Sequence, residues 1–321
     1  MARLSVIVPT FNRVGYLGET IASVLSQDYG DFELVVADNA STDGTAALLA
    51  GVADPRLRHM RRARNIGWRA NFNQALDAAD SEFVALVSDD DRLLPGALTR
   101  AVRCLDEAPR VGLVHTTFHI IDDRGEVLRT DGNWTGAIAR DRIQRGADFI
   151  AGAMRSGNPV CLSSVAMRTA ALPDVCFEAA DEVAGDLVLF LRIALDCDIA
   201  FLATPGIELR VHGGRLSNAF DQADNFRALK ESKLRFLAAN SARLDHVPAL
   251  RRAARGYTAA AMSLPVSIAA RESREEGYRV LRRAVRSRPQ LVLAPRIWRA
   301  AVKVVVGPRV LRYLRSLRPR R

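Results

Sequence analysis

The sequence predicts an α/β fold: a mainly parallel sheet flanked by helices, with a helical C-terminal extension. Three observations carry that expectation. Over residues 1 to about 115, apolar strand-like runs alternate with segments of helical period, the pattern of a sheet covered by helices. The runs are short and rich in β-branched residues. From Asp221 onward the chain turns to Ala, Leu and Arg and reads as helix.

Taken in order, Leu4 to Val8 is the first strand. Leu17, Ile21, Val24 and Leu25 then recur at the spacing of one helical stripe. Phe32 to Ala37 is a second strand, and Ser41, Thr42 and Asp43 offer capping oxygens to a helix over Ala46 to Ala50. Phe72, Ala75, Leu76 and Ala79 mark the next helix. Phe83 to Val87 is a buried strand that stops at Ser88-Asp89-Asp90-Asp91, and Pro95 suits the first turn of a helix carrying Leu98, Ala101, Val102 and Leu105. Beyond lie strand candidates at Val111 to Ile121, Val160 to Met167 and Ile199 to Ala203, with a turn at Asp122-Asp123-Arg124-Gly125. A helix from about Glu182 to Asp196 buries Val183, Leu187, Phe190, Leu191 and Ala194. The expected division is a catalytic region 1–220, with halves 1–115 and 116–220, and a basic helical region 221–321.

With 321 residues, 49% apolar and 26% charged, the chain has the composition of a folded globular protein. Its longest charge-free stretch in the second half, Tyr257 to Ala270, contains Pro265 and falls short of the roughly 20 apolar residues that span a bilayer. No basic leader precedes a long apolar run, so a cytoplasmic location is expected. Cys104, Cys161, Cys176 and Cys197 show no CxxC or Cys/His ligand spacing and read as reduced core thiols.

Ligands of open α/β sheets bind outside the carboxyl ends of the strands. Polar residues gather there: Pro9-Thr10-Phe11-Asn12 after the first strand, Asp38 to Thr45 after the second, and Ser88 with three aspartates after Val87. Three adjacent carboxylates cannot all ionise cheaply without a counter-charge. A solvated acidic turn is one reading. The other is a divalent metal, Mg²⁺ or Mn²⁺, whose shell substrate phosphates complete, and the placement between a buried strand and a helix favours it.

Four ordered segments, Ser5-Val-Ile-Val-Pro-Thr-Phe-Asn12, Val36-Ala-Asp-Asn-Ala-Ser-Thr-Asp-Gly-Thr45, Asn65-Ile-Gly67 and Ala85-Leu-Val-Ser-Asp-Asp-Asp-Arg-Leu-Leu-Pro95, together resemble glycosyltransferase family 2, inverting enzymes with the Rossmann-like GT-A fold. The resemblance covers about residues 3 to 217. It implies a nucleotide-diphosphate sugar donor bound by Pro9, Thr10, Phe11, Asn12, Asp38, Asn65, Gly67, Ser88 and Asp89, with Mn²⁺ or Mg²⁺ on Asp90 and Asp91. Ser88 stands where many members have Asp, and Phe72 where many have Arg before Asn73, which makes Arg64 and Arg69 substitutes to consider for the donor's phosphates. Gly185-Asp186, Phe190-Leu191-Arg192, Arg210-Val211-His212 and Ser217 look like the family's acceptor-side acid and its Arg-x-His loop. That resemblance makes Asp186 the general base, with Asp181 and Glu182 as rivals. It also sets Arg210 on the diphosphate, and leaves His212 as a metal ligand, a phosphate contact or a structural loop residue. The implied reaction is sugar transfer with inversion to a glycan or lipid-linked acceptor in cell-surface polysaccharide or glycolipid assembly. A polyprenyl-phosphate sugar synthase is the alternative.

The formal charge of +10 is localised: nine Lys and Arg and no acid follow Pro289, and the remaining 37 bases and 36 acids leave +1. Arg296, Arg299 and Lys303 alternate with Ile297, Ala301 and Val304, the pattern of a basic amphipathic helix suited to an anionic membrane surface, such as the cytoplasmic face. A nucleic-acid-binding protein would also use such a tail, but aromatic residues are only 6% and no recognisable nucleic-acid module is present, so no nucleic-acid partner is expected. A dinucleotide-dependent oxidoreductase would need a GxGxxG after the first strand, which is missing.

Overall fold

The computed structural model describes residues 2–132, 140–156, 158–181, 184–213, 222–248, 250–254, 256–257, 274–287, 300–302 and 304. Residues 1–232 and 233–321 form two compact units, and the division falls inside a helix, Gln222–Ala239. The first unit is built on a mixed sheet. Strands β1 (Leu4–Thr10), β2 (Phe32–Asp38), β3 (Leu57–Arg61) and β4 (Phe83–Leu86) alternate with helices α1 (Val14–Leu25), α2 (Thr45–Ala50) and α3 (Trp68–Asp77). Then come β5 (Arg92–Leu93), α4 (Ala97–Glu107), β6 (Val111–Ile121), β7 (Val127–Gly132), β8 (Arg142–Gln144), α5 (Gly146–Ser156), β9 (Val165–Arg168), α6 (Gly185–Ile193) and β10 (Asp198–Arg210).

The strand order is β3-β2-β1-β4-β9-β6-β10-β5, with β7 added to β6 and β8 to β10. The first four strands are mutually parallel, β9 runs against β4 and β6, and β10 is parallel to β6. The carboxyl ends of β1, β2, β4, β6 and β10 therefore open on one edge. Leu4, Val6, Ile7 and Val8 are all buried because both faces of β1 are covered, which is why the strand reads as a continuous apolar run. On one face Leu17, Ile21 and Val24 of α1 and Leu98, Ala101, Val102 and Leu105 of α4 join the main core. On the other, α3 meets β1 and β2 while α5 and α6 meet β10 and β6.

Several elements depart from expectation for local reasons. β3 was not foreseen because its sequence, Leu-Arg-His-Met-Arg, is that of an edge strand with charged residues turned outward. Pro95 lies before the helix, whose N-cap is Gly96 in the left-handed region. The expected strand over Val160 to Met167 begins instead with a 3₁₀ turn, Leu162–Ser164, because the Ser164 N–H and hydroxyl both donate to the Cys161 carbonyl. β10 continues past Ala203 to Arg210, crossing Pro205-Gly206 as a register shift between Leu202 and Ile207. β5, β7, β8 and α5 were also unforeseen. All four cysteines are free thiols.

In the second unit, α8 (Ser241–Asp245) follows α7 (Gln222–Ala239), and a further helix spans Arg274–Ser287. Val280 and Leu281 of that helix pack against Ala300 and Val304. Val183 and most of the basic tail after Pro289 lie outside the described residues. Among the described residues no helix is long and apolar enough to cross a membrane.

α5 supplies a test of this packing. A Cβ on Gly146, its first residue, would lie 2.0 Å from the Ala194 carbonyl oxygen and 2.3 Å from that of Cys197, both rigid backbone, whereas a Cβ on Gly152 meets nothing within 4 Å. Gly146→Ala should lower the Tm by roughly 3 °C or more, and Gly152→Ala should raise stability by up to about 1 kcal/mol through helix propensity. Calorimetry of the two variants reads both, and equal effects would contradict the close approach at Gly146.

Candidate active site

The loops after β1, β2 and β3 are laced together by side chains that the sequence placed at strand ends. Asn12 has φ 54° and Ala40 φ 64°, so both chain exits from the sheet turn through the left-handed region. Asn12 is held there from both sides: its N–H donates to Ser41 Oγ at 2.9 Å, and its Oδ1 accepts the Thr42 N–H at 2.8 Å. Asp43 caps two helices, accepting the Val14 N–H at the start of α1 and the Thr45 N–H at the start of α2. Asn39 reaches across to the next loop, donating to Asn65 Oδ1 and accepting the Ile66 N–H. Gly67, at φ 82°, ends that loop and starts α3 in a conformation open to glycine.

Asp38 is fully buried at the end of β2. Its Oδ1 accepts the Ser41 N–H at 2.8 Å, while Oδ2 has no hydrogen-bond partner and lies 3.5 Å from His59 and 3.8 Å from Arg61. A buried carboxylate oxygen without a hydrogen bond is an acceptor kept for a ligand N–H or O–H. Phe11 beside it is 42% exposed, which leaves an aromatic ring for stacking.

The three aspartates after β4 have three different roles. Asp91 is fully buried, and both of its oxygens are committed: Oδ1 accepts the Arg210 N–H at 2.9 Å and Oδ2 accepts the Ser163 hydroxyl. These two hydrogen bonds anchor the turn. Asp90 keeps its carboxylate for the site, with Oδ2 3.0 Å from His212 Nε2. His212 is buried at its ring and stacks on Tyr16 of α1 at 4.8 Å. Part of Asp89 reaches the surface, yet its carboxyl is pushed up to about 7, first by desolvation and then by Asp90, against the opposing pull of Thr10, Arg13 and the Phe11 N–H.

Arg210 also departs from expectation. Its guanidinium is fully buried and spends every nitrogen on protein: Nε on the Asp90 carbonyl, Nη1 on the Asp122 and Asp123 carbonyls and Nη2 on Glu19. Fully buried, the guanidinium presents no surface to a diphosphate. Of the substitute cations, Arg64 is exposed and Arg69 lies over the Trp68 ring.

Asp186 opens α6. Its Oδ1 accepts the Leu187 N–H and its Oδ2 accepts Asn158 Nδ2, each at 2.7 Å, yet desolvation outweighs both and raises its carboxyl to about 6. A Cβ on Gly185 would sit 3.1 Å from Phe177 and 3.4 Å from Trp68, so the start of α6 abuts the residue that follows the Asn65–Gly67 loop. Asp181 is buried before α6, and Glu182 lies outside the described residues, as does Ser217.

Ser88 is tied to the same place, its N–H donating to Ser163 Oγ at 3.0 Å. Asn158 and Ser163 thus lie on one loop, the first holding Asp186 and the second holding Ser88 and Asp91. Neither carried a sequence signal, and nor did Glu19, Thr20 or Tyr16. Among the described residues no three His, Cys, Asp or Glu side chains form a ready-made metal cluster. The juxtaposed Asp90 and His212 fit a hard cation that takes the rest of its shell from a phosphorylated ligand.

Residues 5–161 match the model of the family described as glycosyl transferase family 2. Over 110 residues the chain is 39% identical to the GalNAc(5)-diNAcBac-PP-undecaprenol beta-1,3-glucosyltransferase of Campylobacter jejuni, covering 33% of this chain and 36% of that protein. It is 28% identical to the putative glycosyltransferase EpsE of Bacillus subtilis over 177 residues, 53% of this chain and 57% of that one. The chain thus spans between about a third and three fifths of these relatives' lengths. In solved structures, S. aureus TarS 1-349 in complex with UDP-GlcNAc aligns with a TM-score of 0.52 at 19% identity, covering 81% of this chain and 80% of that one, a likeness of fold.

The division of labour among the aspartates is open to direct measurement. Asp91→Ala should cost about 2–3 kcal/mol of stability, a fall of roughly 4–12 °C in Tm, because it strips an acceptor from buried donors. Asp90→Ala should leave the Tm within about 3 °C of wild type and abolish Mn²⁺-dependent binding of nucleoside diphosphate in calorimetry. The reverse pattern would interchange the two roles.

Proposed function

The chain belongs to glycosyl transferase family 2 through residues 5–161, and from that premise we propose that it transfers a sugar from a nucleotide-diphosphate sugar to an acceptor hydroxyl with inversion. The observation that carries this reading is the pairing of one donor-side edge with one desolvated carboxyl. Strand-end loops present Phe11, the Asp38 oxygen that has no hydrogen bond, and Asp90 with His212, while Asp186 lies at the head of α6, whose start abuts Trp68 beside the Asn65–Gly67 loop. Asp38 accepts from the nucleobase, Phe11 stacks on it, and Asn65 and Gly67 shape the loop that borders the ribose. A divalent ion held by Asp90 and His212 would neutralise charge on the departing diphosphate.

Asp186 takes the proton from the acceptor hydroxyl as that oxygen attacks the anomeric carbon. The new carbon–oxygen bond forms opposite the bond to the diphosphate, which leaves with its electron pair, and the configuration inverts. A carboxyl near 6 is a better base than an ordinary one and is still ionised at neutral pH. The printed name of the C. jejuni relative describes action on an undecaprenol-linked glycan. We take a lipid-linked or surface glycan as the acceptor class here, and chloroform extraction of labelled product distinguishes it from a polyprenyl-phosphate acceptor.

Asp186→Asn should lower kcat for transfer by about 10² or more while the dissociation constant for nucleoside diphosphate stays unchanged. The acid limb of the wild-type rate profile should fall near pH 6. Asn158→Ala removes a hydrogen bond that favours the charged carboxylate, so its limb should move to higher pH. A limb that stays put would separate Asp186 from the rate.

The basic tail completes the proposal as an attachment to anionic membrane, since nine bases face no acid after Pro289. Sedimentation with anionic vesicles should carry down the full chain and lose it in raised salt, whereas neutral vesicles should not. Binding indifferent to lipid charge would overturn it.

A further inference from the structure

Glu19 belongs to none of the sequence motifs, yet it sits where the donor-side turn is decided. Arg210 is the largest fully buried side chain among the described residues, and a guanidinium without water must have its charge answered by protein. Glu19 answers it, with Oε2 2.5 Å from Nη2. The ring of Tyr16, one helical turn earlier on α1, lies 5.0 Å beneath the same guanidinium. Held in this way, Arg210 fixes the turn from two directions: its Nε holds the Asp90 carbonyl and its N–H holds the Asp91 carboxylate. The next residue of α1 adds a third hold, as Thr20 Oγ1 donates to the Asp91 carbonyl at 2.8 Å.

We infer that Glu19 is a positioning residue for the donor site: through Arg210 it sets the orientation of the Asp90–Asp91 turn, and hence of the Asp90 carboxylate beside His212. The inference rests on the reading of this edge as a nucleoside-diphosphate site. Arg92 also reaches Glu19, at 3.2 Å, but it is held independently by Glu208 at 2.7 Å and by the Gly125 carbonyl at 3.0 Å. Among the described residues the Arg210 guanidinium bonds one carboxylate, Glu19, and otherwise carbonyls, so loss of Glu19 falls on it. Glu19 is itself 46% exposed, which makes its replacement compatible with folding.

The test is a set of dissociation constants for UDP, GDP and dTDP, each with Mn²⁺, measured by calorimetry on the full-length wild type and on Glu19→Ala, Glu19→Gln, Glu208→Gln, Arg210→Met and Glu19→Ala with Arg210→Met. For whichever nucleotide the wild type binds, Glu19→Ala should weaken binding by about 10-fold or more, the usual scale for a residue that orients a ligand-bearing group. Glu19→Gln, which keeps an acceptor but not the charge, should fall between it and wild type. Glu208→Gln should bind as wild type, and the Tm of each single Glu variant should stay within about 3 °C of wild type. In the Arg210→Met background, Glu19→Ala should have no further effect, because the two act as one unit. Wild-type affinity in Glu19→Ala, or additive losses in the double variant, overturns the inference while leaving the donor site intact. A wild type that binds none of the three nucleotides overturns the proposed function and this inference with it.

Discussion

A guanidinium shut away from water sets the terms for this active site. Burying a full positive charge is costly unless protein groups answer it, and the Arg210 guanidinium donates to three carbonyls and a carboxylate drawn from α1, the acidic turn and the β6–β7 turn. The charge also answers the crowding of acids that the sequence presents after β4. Asp91 is accommodated by turning inward to meet the Arg210 N–H and Ser163. An arginine at the end of the longest strand thereby organises residues from three other parts of the chain.

The donor-side edge depends on the same economy of polar groups. Asn12, Asn39, Ser41, Asp43 and Asn65 satisfy one another and the first N–H groups of α1 and α2, so loops of irregular backbone are held by their own polar groups. The Asp38 Oδ2 stands out in this lacework as a carboxylate oxygen buried without a hydrogen bond. Across the site, desolvation is what makes Asp186 basic. Its two hydrogen bonds favour the charged form, and burial still prevails.

The parallel strands, their order in the chain and the polar strand ends were legible because β1, β2 and β4 are buried on both faces and stop abruptly at polar residues. Asp38 and Asp90 were named as candidates because they stand at those strand ends, and Asp186 because its segment resembles the family's acceptor-side acid. Arg210 and Asp91 were named from residue type and spacing, which report that a charge is present and not which way it points, so their buried hydrogen-bond partners were not legible. Asn158, Ser163 and Glu19 left no local trace: each matters through a partner at least two dozen positions away, and only the folded chain brings the pair together. β3 was hidden by the polarity that an edge strand needs.

The segment from Asn158 to Ser163 grips the acid on α6 with one residue and the turn after β4 with another. A loop with two such grips is not a detachable module. A transplanted loop lacking the amide would raise the basicity of Asp186, and one lacking the hydroxyl would unseat Asp91, so a chimera could fail at the donor end for a change made at the acceptor end. Substitutions confined to the positions between those two residues leave both grips in place.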